Sequence, residues 1–202
     1  MDMSKLVRDM RDSAYVVAPF DEGLEILSNA GYSLVSPKDL ADLRIREGRY
    51  SNVSMKESWT TFGVLYVPNK GKYLTKNSPI MMDPKGTTEA HKNRKDFYPT
   101  PEQIERGLAD AVEIESGEIP AEIFGEHPVT VYAFGDSAQK YGDFLRRIKI
   151  LKVPVWLADM QDKSFVRQLR ICGLVGDVNS GFGCNGRAFG FDRRLRGIRK
   201  RR

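Results

Sequence analysis

Few residues in this chain stand where they could make or break a covalent bond. Ser137, in Gly135-Asp136-Ser137 after an apolar run, is the best-placed nucleophile. A serine needs a base, most often an imidazole, to become one. Both histidines, His91 and His127, precede it, and the three residues read better as a helix start with Asp136 as N-cap. Neither histidine shows metal-ligand spacing with the other, or with Cys172 or Cys184. Gly71-Lys72 lacks the earlier glycine and the following Ser or Thr of a phosphate-binding loop. Glu113, Glu115, Glu118 and Glu122 have no neighbour that would raise a carboxyl pKa, and read as a solvated acidic surface. Two cysteines make no disulfide framework. A bond between Cys172 and Cys184 is open, but free thiols are expected in a chain without an export signal. These residues predict no catalytic group, no metal and no cofactor.

The informative stretch is instead Leu169–Leu195, LRICGLVGDVNSGFGCNGRAFGFDRRL. It contains no Lys, Glu, Gln, Trp or Met, which together make up 39 of the 202 residues. A random window of this length would lack all five roughly a third of a percent of the time, so the bias is not noise. Six of the 18 glycines and both cysteines fall inside it. Arg170, Cys172, Asp177, Phe182, Asn185 and Arg193 sit there together, without the long apolar–polar alternation that a half-buried strand imposes. The simplest physical reading is a surface on which side-chain identity is free, carried by a frame on which it is not.

The rest of the chain must supply that frame. Its length suits one well-buried core, and one domain over residues 1–202 is expected. The net charge of +5 is unevenly placed: the last ten residues carry +7, leaving −2 for the first 192. A basic tail at 196–202 keeps a protein soluble, or binds nucleic acid or an anionic surface. No apolar run is long enough to span a membrane, and the charged N-terminus has no signal-peptide core. The expected location is the cytoplasm, or a virion.

Local patterns place the elements. Residues 1–13 suggest a short helix or frayed arm. A helix is expected from Phe20 to Ala30, stopped by Gly31, and then a short strand at Tyr32–Val35. Ser36-Pro37 with Asp39 starts another helix, which Gly48 ends. Trp59–Val67 reads as a strand that turns at 68–71 and returns over Lys72–Thr75. Residues 83–99 look like a long surface loop, and Thr100-Pro101 opens a helix with Ile104, Leu108 and Ala111 facing the core. Val129–Phe134 reads as a strand, Ser137–Ile150 as a helix, and Val153–Leu157, Phe165–Leu169 and Leu195–Arg199 as strands. The class is α+β, with mixed and antiparallel strands and two or more helices.

Phe165-Val166-Arg167-Gln168-Leu169, the mixed stretch after it, and the closing Arg196-Gly197-Ile198-Arg199 resemble the variable proteins of diversity-generating retroelements, most closely those of archaea or archaeal viruses. The resemblance covers about the last 45 residues with any specificity. It implies a C-type lectin-like fold related to formylglycine-generating enzymes, although the Gly-Gly-Ser-Trp block of that branch is absent. It also implies a ligand-binding role with no catalysis. Such retroelements copy a template RNA with errors at adenines. Codons that begin as AAC or AAT then reach most residue types, but never Lys, Glu, Gln, Trp or Met. On this resemblance the ligand-facing positions are Arg170, Cys172, Gly173, Val175, Gly176, Asp177, Cys184, Asn185, Gly186, Ala188, Gly190, Phe191, Asp192 and Arg193. Leu169, Leu174, Phe189 and Leu195 are expected as core anchors. The implied partner is a variable protein or cell-surface target. A nucleic-acid-binding protein using the Arg-rich end is the alternative. The Gly-Asp-Ser block resembles that of the lipase and esterase family of that name, but that family places its histidine after the serine.

Overall fold

The computed structural model describes residues 2–10, 12–174, 181–184 and 193–199. In chain order the strands and helices are β1 (Leu6–Arg8), β2 (Ser13–Ala18), α1 (Phe20–Asn29), β3 (Ser33–Leu34), α2 (Pro37–Glu47), α3 (Asn52–Met55), β4 (Ser58–Val67), β5 (Gly71–Thr75), α4 (Pro79–Met82), α5 (Pro84–Lys92), α6 (Pro101–Leu108), β6 (Ala111–Glu113), β7 (Gly117–Pro120), α7 (Pro128–Phe134), α8 (Ala138–Arg147), β8 (Lys152–Leu157), β9 (Phe165–Ile171), β10 (Phe182–Cys184) and β11 (Arg193–Ile198). The main sheet runs β1-β2-β11-β4-β9-β10-β8-β7, with β3 on β11 and the β5–β6 pair on β4.

β4 explains why both faces of this sheet are covered. Along it, Phe62, Val64 and Tyr66 enter one hydrophobic cluster with α2, α7 and α8. Trp59, Leu65 and Val67 enter a second cluster with α1, α4 and β2. Successive strand residues point to opposite faces, so an unbroken apolar run is what a strand buried on both sides requires. β9 divides likewise, with Phe165, Leu169 and Ile171 in the first cluster and Val166 in the second. The buried strands at the middle of the sheet are thus fixed from above and below.

The helix boundaries follow sequence chemistry. Ser36 accepts a hydrogen bond from the Asp39 N–H while Asp39 reaches back to the Ser36 N–H, with Pro37 next to the cap. Thr100 and Gln103 do the same for α6. Gly31 and Gly48 both have φ of +80°, a conformation that favours glycine and ends α1 and α2.

Four expectations fail. Residues 1–13 hold a single 3-10 turn and then β1, and β2 starts at Ser13. Their short alternation is decided by pairing, since β2 lies antiparallel to β11 from Ser13↔Ile198 to Ala18↔Arg193. The loop expected at 83–99 contains α5, whose Asp83 side chain caps the Gly86 N–H ahead of a nearly all-polar helix. Val129–Phe134 is helical: Val129, Thr130, Ala133 and Phe134 are buried at helical spacing, and packing overrides their β-forming side chains. Ala111 belongs to β6 rather than to the helix before it.

The basic tail also begins later than 196. Arg196 lies in the middle of β11 and is completely buried. Its two terminal nitrogens donate to both carboxylate oxygens of Asp9, at 2.9 and 2.8 Å, and also to Ser13 Oγ and Asn52 Oδ1. Lys200, Arg201 and Arg202 lie outside the described residues. No helix among the described residues is long and apolar enough to cross a membrane.

A buried cation stripped of its carboxylate costs more than the pair removed together. Asp9→Asn is therefore expected to lose about 3–5 kcal/mol in urea unfolding, and Asp9→Asn with Arg196→Met distinctly less. Equal losses in the single and double variants would contradict this account.

Candidate binding surface

The compositionally odd stretch crosses the middle of the sheet three times, and each crossing is held by main-chain bonds. β9 ends at Ile171. Cys172 then donates its N–H to the Gly181 carbonyl at 3.0 Å, and Leu174 donates its N–H to the Ser54 carbonyl at 2.6 Å. Residues 175–180 thus leave from a bonded Leu174 and return to a bonded Gly181. β10 next lies between β9, antiparallel, and β8, parallel. Its last carbonyl, that of Cys184, accepts a hydrogen bond from the Tyr66 hydroxyl at 2.9 Å. The same Tyr66 oxygen accepts the Ala158 N–H at 3.0 Å, and burial raises the phenol pKa so that the donating proton stays. After residues 185–192 the chain re-enters the sheet as β11.

Arg44 ties this root to the helices. It is completely buried, on α2. Nε donates to the Val53 carbonyl, Nη1 to Tyr141 Oη on α8, and Nη2 to the carbonyls of Lys56 and Cys172 at 3.3 and 2.8 Å. No carboxylate pairs with it among the described residues. A guanidinium presents donors along a rigid fork, which a lysine ammonium cannot reproduce.

Sterics add two fixed points. A Cβ on Gly173 would stand 2.4 Å from the Met55 carbonyl oxygen, and one on Gly181 would stand 2.3 Å from that of Pro154. Both obstacles are backbone, so only glycine fits.

The described candidate positions divide accordingly. Arg170 stays half-buried at the surface, paired with Glu57 at 2.9 Å and lying 5.9 Å from the Trp59 ring centre. Gly173 carries no side chain and cannot gain one, which corrects its place among ligand-facing positions. Cys172 is 7% exposed and Cys184 1%, so both turn inward and are corrected too. The ladder pairs Phe182 with Ile171 and Gly183 with Arg170. Cys184 therefore shares the core face with Phe182. Cys172 lies just past the end of β9, and both thiols are free. Leu169, Leu174 and Leu195 are buried anchors. Arg193 opens β11 opposite Ala18, and its side chain lies outside the described residues. Val175, Gly176, Asp177, Asn185, Gly186, Ala188, Phe189, Gly190, Phe191 and Asp192 also lie outside them.

Sequence reasoning missed the neighbours of this surface. The Arg194 guanidinium stacks 3.6 Å from the Tyr15 ring centre and donates to Asn52 Oδ1 at 2.8 Å. Tyr15, Asn52, Glu57 and Trp59 come from distant parts of the chain, and no local pattern marks them.

The Gly-Asp-Ser block has no catalytic geometry. Ser137 Oγ donates to Asp42 Oδ1 at 2.6 Å and accepts from Lys38 Nζ at 3.0 Å. Lys38 also pairs with Asp42 and Asp136, and those carboxylates raise its pKa, so it stays charged and cannot serve as a base. Asp136 makes no cap for α8, which begins at Ala138 after a 3-10 turn.

Burial pushes the Cys184 thiol up to about 12 from an ordinary 9.0. A group raised in the folded state stabilises it fully below its ordinary value and loses that contribution as pH rises towards the folded one. Cys184→Ala should therefore flatten the fall in unfolding free energy above pH 9.0. An unchanged alkaline slope would count against a buried neutral thiol.

No family model and no curated protein matches this chain. One solved structure does, from work on the accommodation of massive sequence variation in Nanoarchaeota by the C-type lectin fold. It aligns with a TM-score of 0.68 and 20% identity, over 95% of this chain and 99% of that one. At that identity the likeness is one of architecture, and the chain has the C-type lectin fold.

Proposed function

We propose that this protein is a binding scaffold whose C-terminal surface is diversified by adenine-directed retroelement mutagenesis. Its target would be a protein or cell-surface ligand. The observation that carries this reading is a coincidence of two independent features. The window that lacks Lys, Glu, Gln, Trp and Met is also the one whose ends are clamped by carbonyl and amide bonds. Bonds to main-chain atoms do not depend on which side chains stand at 175–180 and 185–192. The varying set is then Arg170, Val175, Gly176, Asp177, Asn185, Gly186, Ala188, Gly190, Phe191, Asp192 and Arg193. Arginine and phenylalanine among them are types suited to dominate an interface. The related architecture described for massive sequence variation supports the reading.

A nucleic-acid role for the basic end has less support. Arg196 is paired internally with Asp9, and Arg194 is stacked on Tyr15.

Two measurements test the proposal. The coding DNA should be followed by a near-identical repeat that differs from it only at adenines, beside a reverse transcriptase gene; a single-copy sequence would remove the mechanism. In the protein, Asp177→Ala, Asn185→Ala and Asp192→Ala should each change unfolding free energy by no more than about 0.5 kcal/mol. Leu174→Ala should cost about 2–5 kcal/mol. Comparable losses in the two groups would sink the division between display and frame.

A further inference from the structure

Glu113, Glu115 and Glu118, an acidic run in the sequence, stand around one groove in the fold. The reason is topological. β6 ends at Glu113 beside β5, and β7 begins at Gly117 beside β8. The chain between them crosses from one branch of the sheet to its last strand, and α7 packs against β6 next to the crossing. A groove of about 370 Å³ is left between the crossing, the start of α7 and β8. This is within the range of ligand pockets. Nothing in the reading of the display surface uses it.

The groove has an apolar floor and an acidic rim. Ile114 from the crossing, Ile119 from β7, Val129 from α7 and Val155 from β8 are all buried in its floor. The three glutamates are exposed around it. Glu118 is paired with Lys152 at 2.7 Å, whereas Glu113 and Glu115 meet no cation among the described residues. Among those residues no Lys or Arg lines the groove, and its other ionisable group is His127. Burial holds the pKa of His127 below the ordinary 6.5. Its Nδ1 is sealed from solvent without a hydrogen-bond partner among the described residues, so the imidazole is neutral at neutral pH. The described lining therefore carries three negative charges, one of them offset by Lys152, and no positive one.

We infer that this groove is a second binding site, for a primary ammonium group carried on a small apolar body. The body would lie on the Ile114, Ile119, Val129 and Val155 floor, and the ammonium would meet Glu113 and Glu115 at the rim. A bare metal ion fits less well, because among the described residues no three His, Cys, Asp or Glu side chains are grouped to hold one. The carboxylates ring the groove instead of converging on a point, which suits a charge whose position is set by an attached body. Two unpaired carboxylates at a solvated rim favour such a cation over its neutral analogue by about tenfold. The same charges repel an anion.

The test uses the full chain and the imidazole C–H proton resonances of its two histidines. His127 lines the groove, and His91, on α5, does not, so one reports binding and the other is the control. Benzylammonium, benzyl alcohol and benzoate are titrated separately at neutral pH. A saturable shift of His127 with benzylammonium is expected, and none at His91. Benzyl alcohol should bind at least about tenfold more weakly, and benzoate more weakly still. Glu113→Gln combined with Glu115→Gln, both at exposed sites, should weaken benzylammonium about tenfold and leave benzyl alcohol unchanged. Circular dichroism melts show whether that variant is folded, and the single variants serve if it is not. Equal affinity for benzyl alcohol or benzoate overturns the proposal, as does an equal shift at His91. So does unchanged benzylammonium binding in the folded variant, or no saturable shift up to about 10 mM ligand. Displacement of benzylammonium by an equal concentration of calcium would make the groove a metal site instead. None of these results depends on residues 175–180 or 185–192, so the display reading stands or falls separately.

Discussion

A guanidinium sealed in the interior, with no carboxylate beside it among the described residues, is the constraint on which the C-terminal surface rests. Taking such an ion out of water costs several kcal/mol unless its donors are all used. Arg44 uses Nε, Nη1 and Nη2, and three of its four acceptors are main-chain carbonyls, at Val53, Lys56 and Cys172. A carbonyl is the same whatever side chain its residue carries. The cation therefore fixes the path of two separated segments, at 53–56 and at Cys172, without specifying their residues. Its fourth acceptor, the Tyr141 hydroxyl, connects that path to the aromatic cluster of Phe124, Phe134 and Phe182.

The two buried arginines have complementary tasks. Arg44 holds the end of β9, and Arg196 draws the N-terminal arm and Asn52 onto β11. Between them lie the two hydrophobic clusters on opposite faces of β4. The odd stretch is anchored in both, through Leu174 in one and Leu195 in the other. On the proposed reading, a substitution at 175–180 or 185–192 would have to disturb a cluster, or a buried cation's bonds, before it reached the fold.

What was legible in the sequence was whatever local chemistry decides. Ser36, Pro37 and Asp39 start α2 by bonds within four residues, and Gly31 and Gly48 stop helices by their own backbone freedom. The same holds for Thr100 and Gln103 at α6. The C-type lectin fold was legible through resemblance in the last quarter of the chain. What was hidden depends on distant partners. Val129–Phe134 has the composition of a strand and becomes a helix because Phe124, Tyr141 and Phe182 surround it. The N-terminal strands exist only because β11 lies alongside. Arg196 reads as part of a basic tail until Asp9, 187 positions earlier, is found against it. At the surface, the biased window was visible, but its inward-turned members were not. Whether Cys184 faces solvent or Phe182's side of the sheet is set by ladder register, and Gly173 and Gly181 are fixed by carbonyls of Met55 and Pro154.

The pairing of β2 with β11 has an implication for synthesis. β2 is made long before β11, so their pairing waits until everything between them has been synthesised, and closing so long a loop is slow. Until then, Val16, Trp59 and Val166 lack the Leu195 that completes their cluster. A chain cut short anywhere in the mixed stretch would keep that seam open and present it to proteases and chaperones. Cellular quality control would thus act as a proofreader, retaining only products translated through to β11.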